Sequence, residues 1–184
     1  MARERDSFGG RALSAVLAVG LPAGVAAGAC MALTLMAIAE ISAVPTAVPG
    51  IDSSTWTPLT GIASFLFGLD AFHGDFHVLP ILVGLAAHMA VAIAFGLVGS
   101  WFILVTQGMS PGAIGAPVQG FFYALFVQVF FLNLVVGAIQ AVHTVYESLP
   151  QWGWWVGHAV YGVVLGLAVS IVLGGGRAAT DPRP

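Results

Sequence analysis

The chain has 184 residues, of which 59% are hydrophobic and only 7% charged, with a formal net charge of −3. A soluble domain carries about 25% charged residues; here there is no lysine, and the five arginines (Arg3, Arg5, Arg11, Arg177 and Arg183) all lie near the two ends. This excludes a nucleic-acid footprint, which needs a clustered basic face, and a polybasic lipid-binding patch, while the single cysteine, Cys30, excludes an intrachain disulfide framework and a Cys-based zinc site.

The apolar residues gather in four runs, each close to the roughly 20 residues that a helix needs to cross a bilayer core of about 30 Å. They predict an all-α fold: an integral membrane four-helix bundle, a single transmembrane domain over 1–184, with spans at about 11–41, 78–105, 116–142 and 152–173. The first run follows a basic start but is too long for the 7–15-residue apolar core of a signal peptide. It therefore predicts a retained helix, kinked at Pro22. Cys30 lies inside it and reads as a buried packing residue. The connection from Ser42 to His77 opens with Pro45 and Pro49, then offers Thr57 as an N-cap with Pro58 behind it. The apolar stretch from Leu59 to Leu69 is too short to span and predicts a short interfacial or re-entrant helix. Pro80 and Pro117 stand in the first turns of the second and third spans, where proline is tolerated. Gly174-Gly175-Gly176 reads as the stop of the fourth.

Positive charge stays on the cytoplasmic side, so the arginines predict that both termini are cytoplasmic and that the number of spans is even. Trp56, Trp152, Trp154 and Trp155 then fall at the exoplasmic boundary and Trp101 at the cytoplasmic one, as an aromatic belt would.

Small residues recur every fourth position: Gly20, Gly24 and Gly28; Gly84, His88, Ala92, Gly96 and Ser100; His158, Gly162, Gly166 and Ser170. This spacing keeps them on one helix face, and small residues there let helices approach closely in lipid. His88 and His158 share those faces, so both are expected to point into protein at similar depth. Two facing imidazoles flanked by glycine are what a bis-histidine haem b requires; the competing expectation is a pair of histidines hydrogen-bonded across helices. A second group of candidates gathers on the exoplasmic side. Asp70, His73, Asp75 and His77 lie within eight residues, with His143 and Glu40 mapping to the same half. Imidazole with carboxylate suits a transition metal, and a wet polar loop is the competing expectation. Glu40 carries separate weight as an ionisable group near a span. The third span holds Gln119, Gln128, Asn133 and Gln140, together with an aromatic run from Phe121 to Phe131 that suits lipid or a partner subunit. Neither a phosphate-binding loop with lysine, nor G-x-S-x-G, nor H-E-x-x-H occurs, so no catalytic residue is assigned and enzyme activity by this chain alone is not expected.

Trp56-x-Pro58 before a short apolar helix, Gly84-x3-His88, and His158-x2-Tyr161-Gly162-x3-Gly166 together resemble a loose group of small four-span bacterial membrane proteins. The resemblance implies the four-span layout and a place in the bacterial inner membrane, but no activity. Three functions stay open: a non-catalytic accessory or structural subunit that packs against other membrane subunits or itself; a redox or metal-binding subunit that uses His88 and His158; and a small permease or channel around Gln128, Asn133 and Ser170.

Overall fold

The computed structural model describes residues 2–42, 55–72, 78–107, 112, 114–130, 146–147 and 149–178. All regular structure among them is helical: α1 (Ala2–Ser42), α2 (Thr57–Phe67), a 3-10 turn (Gly68–Phe72), α3 (Val78–Gln107), α4 (Gly115–Phe130) and α5 (Gln151–Ala178). Long apolar runs make helices because lipid offers no partner for a backbone amide, so each peptide group must be satisfied within its own segment. Three of the helices contain stretches long and apolar enough to cross a membrane: Leu13–Ser42, Val78–Gln107 and Gln151–Gly174. α4 is a shorter apolar helix as far as Phe130, and the remainder of the expected third span, 131–142, lies outside the described residues.

The helix ends differ from expectation in three places. α1 begins well before residue 11 and runs through Pro22 without interruption. α5 continues through Gly174-Gly175-Gly176 to Ala178; glycine weakens a helix by about 1 kcal/mol per residue but removes no hydrogen-bond donor, so the ladder can go on. Trp56, not Thr57, is the N-cap of α2. Its carbonyl accepts from the amides of Leu59 (2.9 Å) and Thr60 (3.0 Å), while Thr57 is the first helical residue and is buried. Gly68 closes α2 with φ +61°, a conformation that side chains resist.

α1 packs most extensively against α3 and α5, α4 against α5, and α2 against α3. Glycines set the spacing. A Cβ at Gly24 would lie 3.0 Å from the Ile93 Cα, and one at Gly96 2.5 Å from the Gly24 Cα, so these two backbones are in direct contact. Against α5, Gly153 meets Ile38 and Gly157 meets Leu35 and Met31. α1 is thus antiparallel to both α3 and α5, which run the same way. A Cβ on Gly120 would fall on the Gly162 carbonyl, and one on Gly162 on that of Gly120. Gly84 is covered by the Leu59 carbonyl, which seats α2 on α3. The core between these seams includes Ala27, Leu35, Ile103, Leu165 and Val169, all nearly sealed from the surface.

Candidate functional site

The stripe read from α3 lies inward as a unit: Gly84, His88, Ala92, Gly96 and Ser100 are all buried. His88 faces α1, where a nitrogen of its ring, Nε2, lies 3.0 Å from the Gly28 carbonyl oxygen. A carbonyl only accepts, so this nitrogen carries the proton and Nδ1 is left with a bare lone pair. His158 is half-buried on α5, and its Nδ1 lies 2.9 Å from the Trp154 carbonyl one turn earlier. By the same reasoning its Nδ1 is protonated and its Nε2 is bare.

A tyrosine fixes how α3 and α5 meet. The Tyr161 hydroxyl donates to the Ala92 carbonyl at 2.7 Å. Ala92 stands one turn beyond His88, and Tyr161 one turn beyond His158, so both histidines sit on the same side of a direct link between their helices. Tyr123 on α4 makes a similar bond to the Phe95 carbonyl at 2.9 Å. Two methionines pack along the seams that α1 makes with α3 and α5. The Met89 sulfur is 3.4 Å from where a Gly28 Cβ would be, and the Met31 Cγ is 3.6 Å from that position on Gly157. The bond made by Tyr161 was not legible in the sequence; the available signal was positional, since Tyr161 is three residues beyond His158.

The other candidates among the described residues are not brought into this junction. Glu40 is exposed near the end of α1 and accepts a hydrogen bond from the Thr55 hydroxyl. Asp70 is exposed on the 3-10 turn. His73, Asp75, His77 and His143 lie outside the described residues, as do Asn133 and Gln140. Among the described residues, no three His, Cys, Asp or Glu side chains gather as a metal-binding set. Gln128 is buried in α4, 2% exposed. Gln119 instead clamps the helix ends: its carbonyl accepts from Gln107 at 2.6 Å, and its amide donates to Thr106 at 2.5 Å. Ser170 donates to the Gly166 carbonyl in its own helix at 3.0 Å. Of the tryptophans expected in the belt, Trp101 and Trp152 are exposed. Trp154 is buried; it donates to the Tyr146 carbonyl at 3.0 Å and stacks on the Tyr146 ring. At the end of the bundle where α1 begins, Leu13, Val16, Leu97, Val98 and Trp101 line an apolar groove of about 390 Å³, remote from the histidines.

Among the described residues the protein is all-helical, with three helices that are compatible with crossing a membrane. Compared with protein-family models, curated proteins and solved structures, the chain matches none.

Proposed function

We propose that this protein is a four-span protein of the bacterial inner membrane, with both termini cytoplasmic, that serves as a non-catalytic accessory or structural subunit of a larger membrane complex. The observation that carries this reading is how the interior polar groups are used. His88, Tyr123 and Tyr161 each donate to a backbone carbonyl of another helix, which spends their polarity on holding helices together. The orientation rests on the arginines at the two ends of the chain, and α1 and α5 run antiparallel, which brings those ends to one side. The face offered to a partner is the row Val118, Phe122, Phe126 and Phe130 on α4, a four-residue spacing with all members exposed.

Purification of the chain from native membranes in mild detergent tests this reading. The expected result is a defined complex that is lost in the F122A/F126A double variant while helicity is retained. A monodisperse wild-type monomer would overturn it.

A further inference from the structure

The short helix α2 turns its polar groups onto itself. It carries no charged residue, and Pro58 near its start brings no amide hydrogen. The amides of Leu59 and Thr60 both donate to the Trp56 carbonyl, and at the other end the Gly68 amide donates to the Ser64 carbonyl. The Thr60 hydroxyl donates to the carbonyls of Trp56 and Thr57, and the Ser64 hydroxyl to that of Gly61 at 2.6 Å. An apolar medium demands such internal satisfaction. The segment also descends along α3. Thr55 is held at the end of α1 by Glu40, and four residues later the Leu59 carbonyl covers Gly84. Gly84 is six residues into α3 from Val78, about 9 Å along that helix at 1.5 Å per residue. Thr57, Pro58, Leu59, Gly61, Ala63 and Ser64 are buried. Then Phe65, Leu66 and Phe67 are exposed by 46%, 76% and 36%, and Gly68 is exposed as well. Four consecutive residues pass right round a helix, so this apolar tip stands clear of the bundle on every side. Ala71, 2% exposed, brings the chain back to it.

We infer that α2 is immersed among the acyl chains of the bilayer leaflet at the Val78 end of α3, with Phe65, Leu66 and Phe67 as its lipid-facing tip. With α3 as a membrane span, on which this rests, the first turn of α2 lies below the headgroups. Three features select lipid as the surroundings of the tip. In water, three large apolar side chains in a row would stay unburied, against the hydrophobic effect. A folded partner covers one face of a helix, whereas this tip is bare all round, and a fluid medium fills such a space. The same end of α3 exposes Val78, Leu79 and Leu82, so the tip and the span share an apolar exterior there. Asp70, exposed three residues beyond Phe67, limits the depth: a carboxylate is costly among acyl chains and draws the turn back to the headgroups. α2 thereby anchors the bundle at a set height in one leaflet.

The test is nitroxide depth measurement on the full-length protein in vesicles of phosphatidylethanolamine and phosphatidylglycerol. L66C and V91C are made singly in a C30A background, because Cys30 is the only cysteine. Leu66 and Val91 are both exposed, so the labels leave packing intact. Each label's collisions with oxygen, which partitions into lipid, are compared with those with a water-soluble nickel chelate. Val91 lies inside the α3 span and reports separately on whether α3 crosses the membrane. The expected result is an oxygen-to-nickel ratio at L66C severalfold above that of the free label in buffer, as at V91C. A water-like ratio at L66C beside a lipid-like one at V91C would overturn the lipid-facing tip and leave the span intact. Few collisions with either reagent at L66C would mean cover by protein, a second copy of the chain, and would overturn it too. A water-like ratio at V91C would overturn the span and the tip together.

Discussion

Two seams of this molecule use the same small-residue spacing to different ends. Between α4 and α5, glycine faces glycine: Gly120 and Gly162 each stand against the other's carbonyl, and Gly166 against that of Ala116. Nothing larger than hydrogen fits at these three glycines, and the same four-residue row of α4 continues to the buried Gln128. Where α1 meets α3 the seam is mixed: Gly24 again stands backbone to backbone with Gly96, but Gly20 faces the side chains of Leu97 and Ser100. Gly28 lies against Ala92 and Met89 and lends its carbonyl to His88. A row of small residues therefore does not by itself define an interface. Small against small makes a backbone zipper, whereas a small residue beside a polar side chain leaves its carbonyl open to that side chain, as Gly28 does for His88.

Substitutions can break this contrast in a fixed order of severity. Gly162→Ala should do the most damage, because its Cβ would strike the rigid Gly120 backbone and would also lie 2.7 Å from the Ala124 Cβ. Overpacking with no flexible neighbour is expected to cost about 3 kcal/mol, read as a marked fall in the thermal unfolding midpoint in detergent. Gly84→Ala comes next. Its Cβ would fall on the Leu59 carbonyl, but α2 is short and can shift, so the cost should be about 1–2 kcal/mol, with faster proteolysis near Trp56. Tyr161→Phe removes the bond to Ala92 and should cost about 0.6–1.7 kcal/mol, the range for interhelical bonds in membranes. A loss as large as that from Gly162→Ala would erase the distinction between the seams. Ser100→Ala should have the smallest effect. Its hydroxyl is fully buried with no hydrogen-bond partner among the described residues, so the change should be neutral or stabilising by up to about 1 kcal/mol. A clear destabilisation would reveal a partner for Ser100.

The legible parts of the site were the ones that depend on a single helix. A four-residue spacing alone placed Gly84, His88, Ala92, Gly96 and Ser100 on one face, and all are buried. Local rules also put the start of α3 at Val78, near Pro80. They failed where local preference was weak or a neighbour intervened. The glycine triplet at 174–176 did not end α5, because a helix can bear glycine when no other structure competes for its backbone. Trp154 looked like a belt residue, yet it is buried against Tyr146. Its ring found a protein partner, and hydropathy does not distinguish that from an interface. The pairing of Glu40 with Thr55 joins residues fifteen apart across a connection whose path no periodicity encodes.

Composition and spacing determined by themselves that the chain is helical, apolar enough for membrane crossing, free of a basic face, and striped with small residues that include two histidines. These follow from backbone hydrogen bonding in an apolar medium and from the pitch of the helix, both local. Tertiary structure alone decided that His88 would donate to Gly28 and Tyr161 to Ala92, and that Met89 would pack against Gly28 and Met31 against Gly157. Those depend on which helices become neighbours and at what height, and that order is set by the packing of all the faces at once.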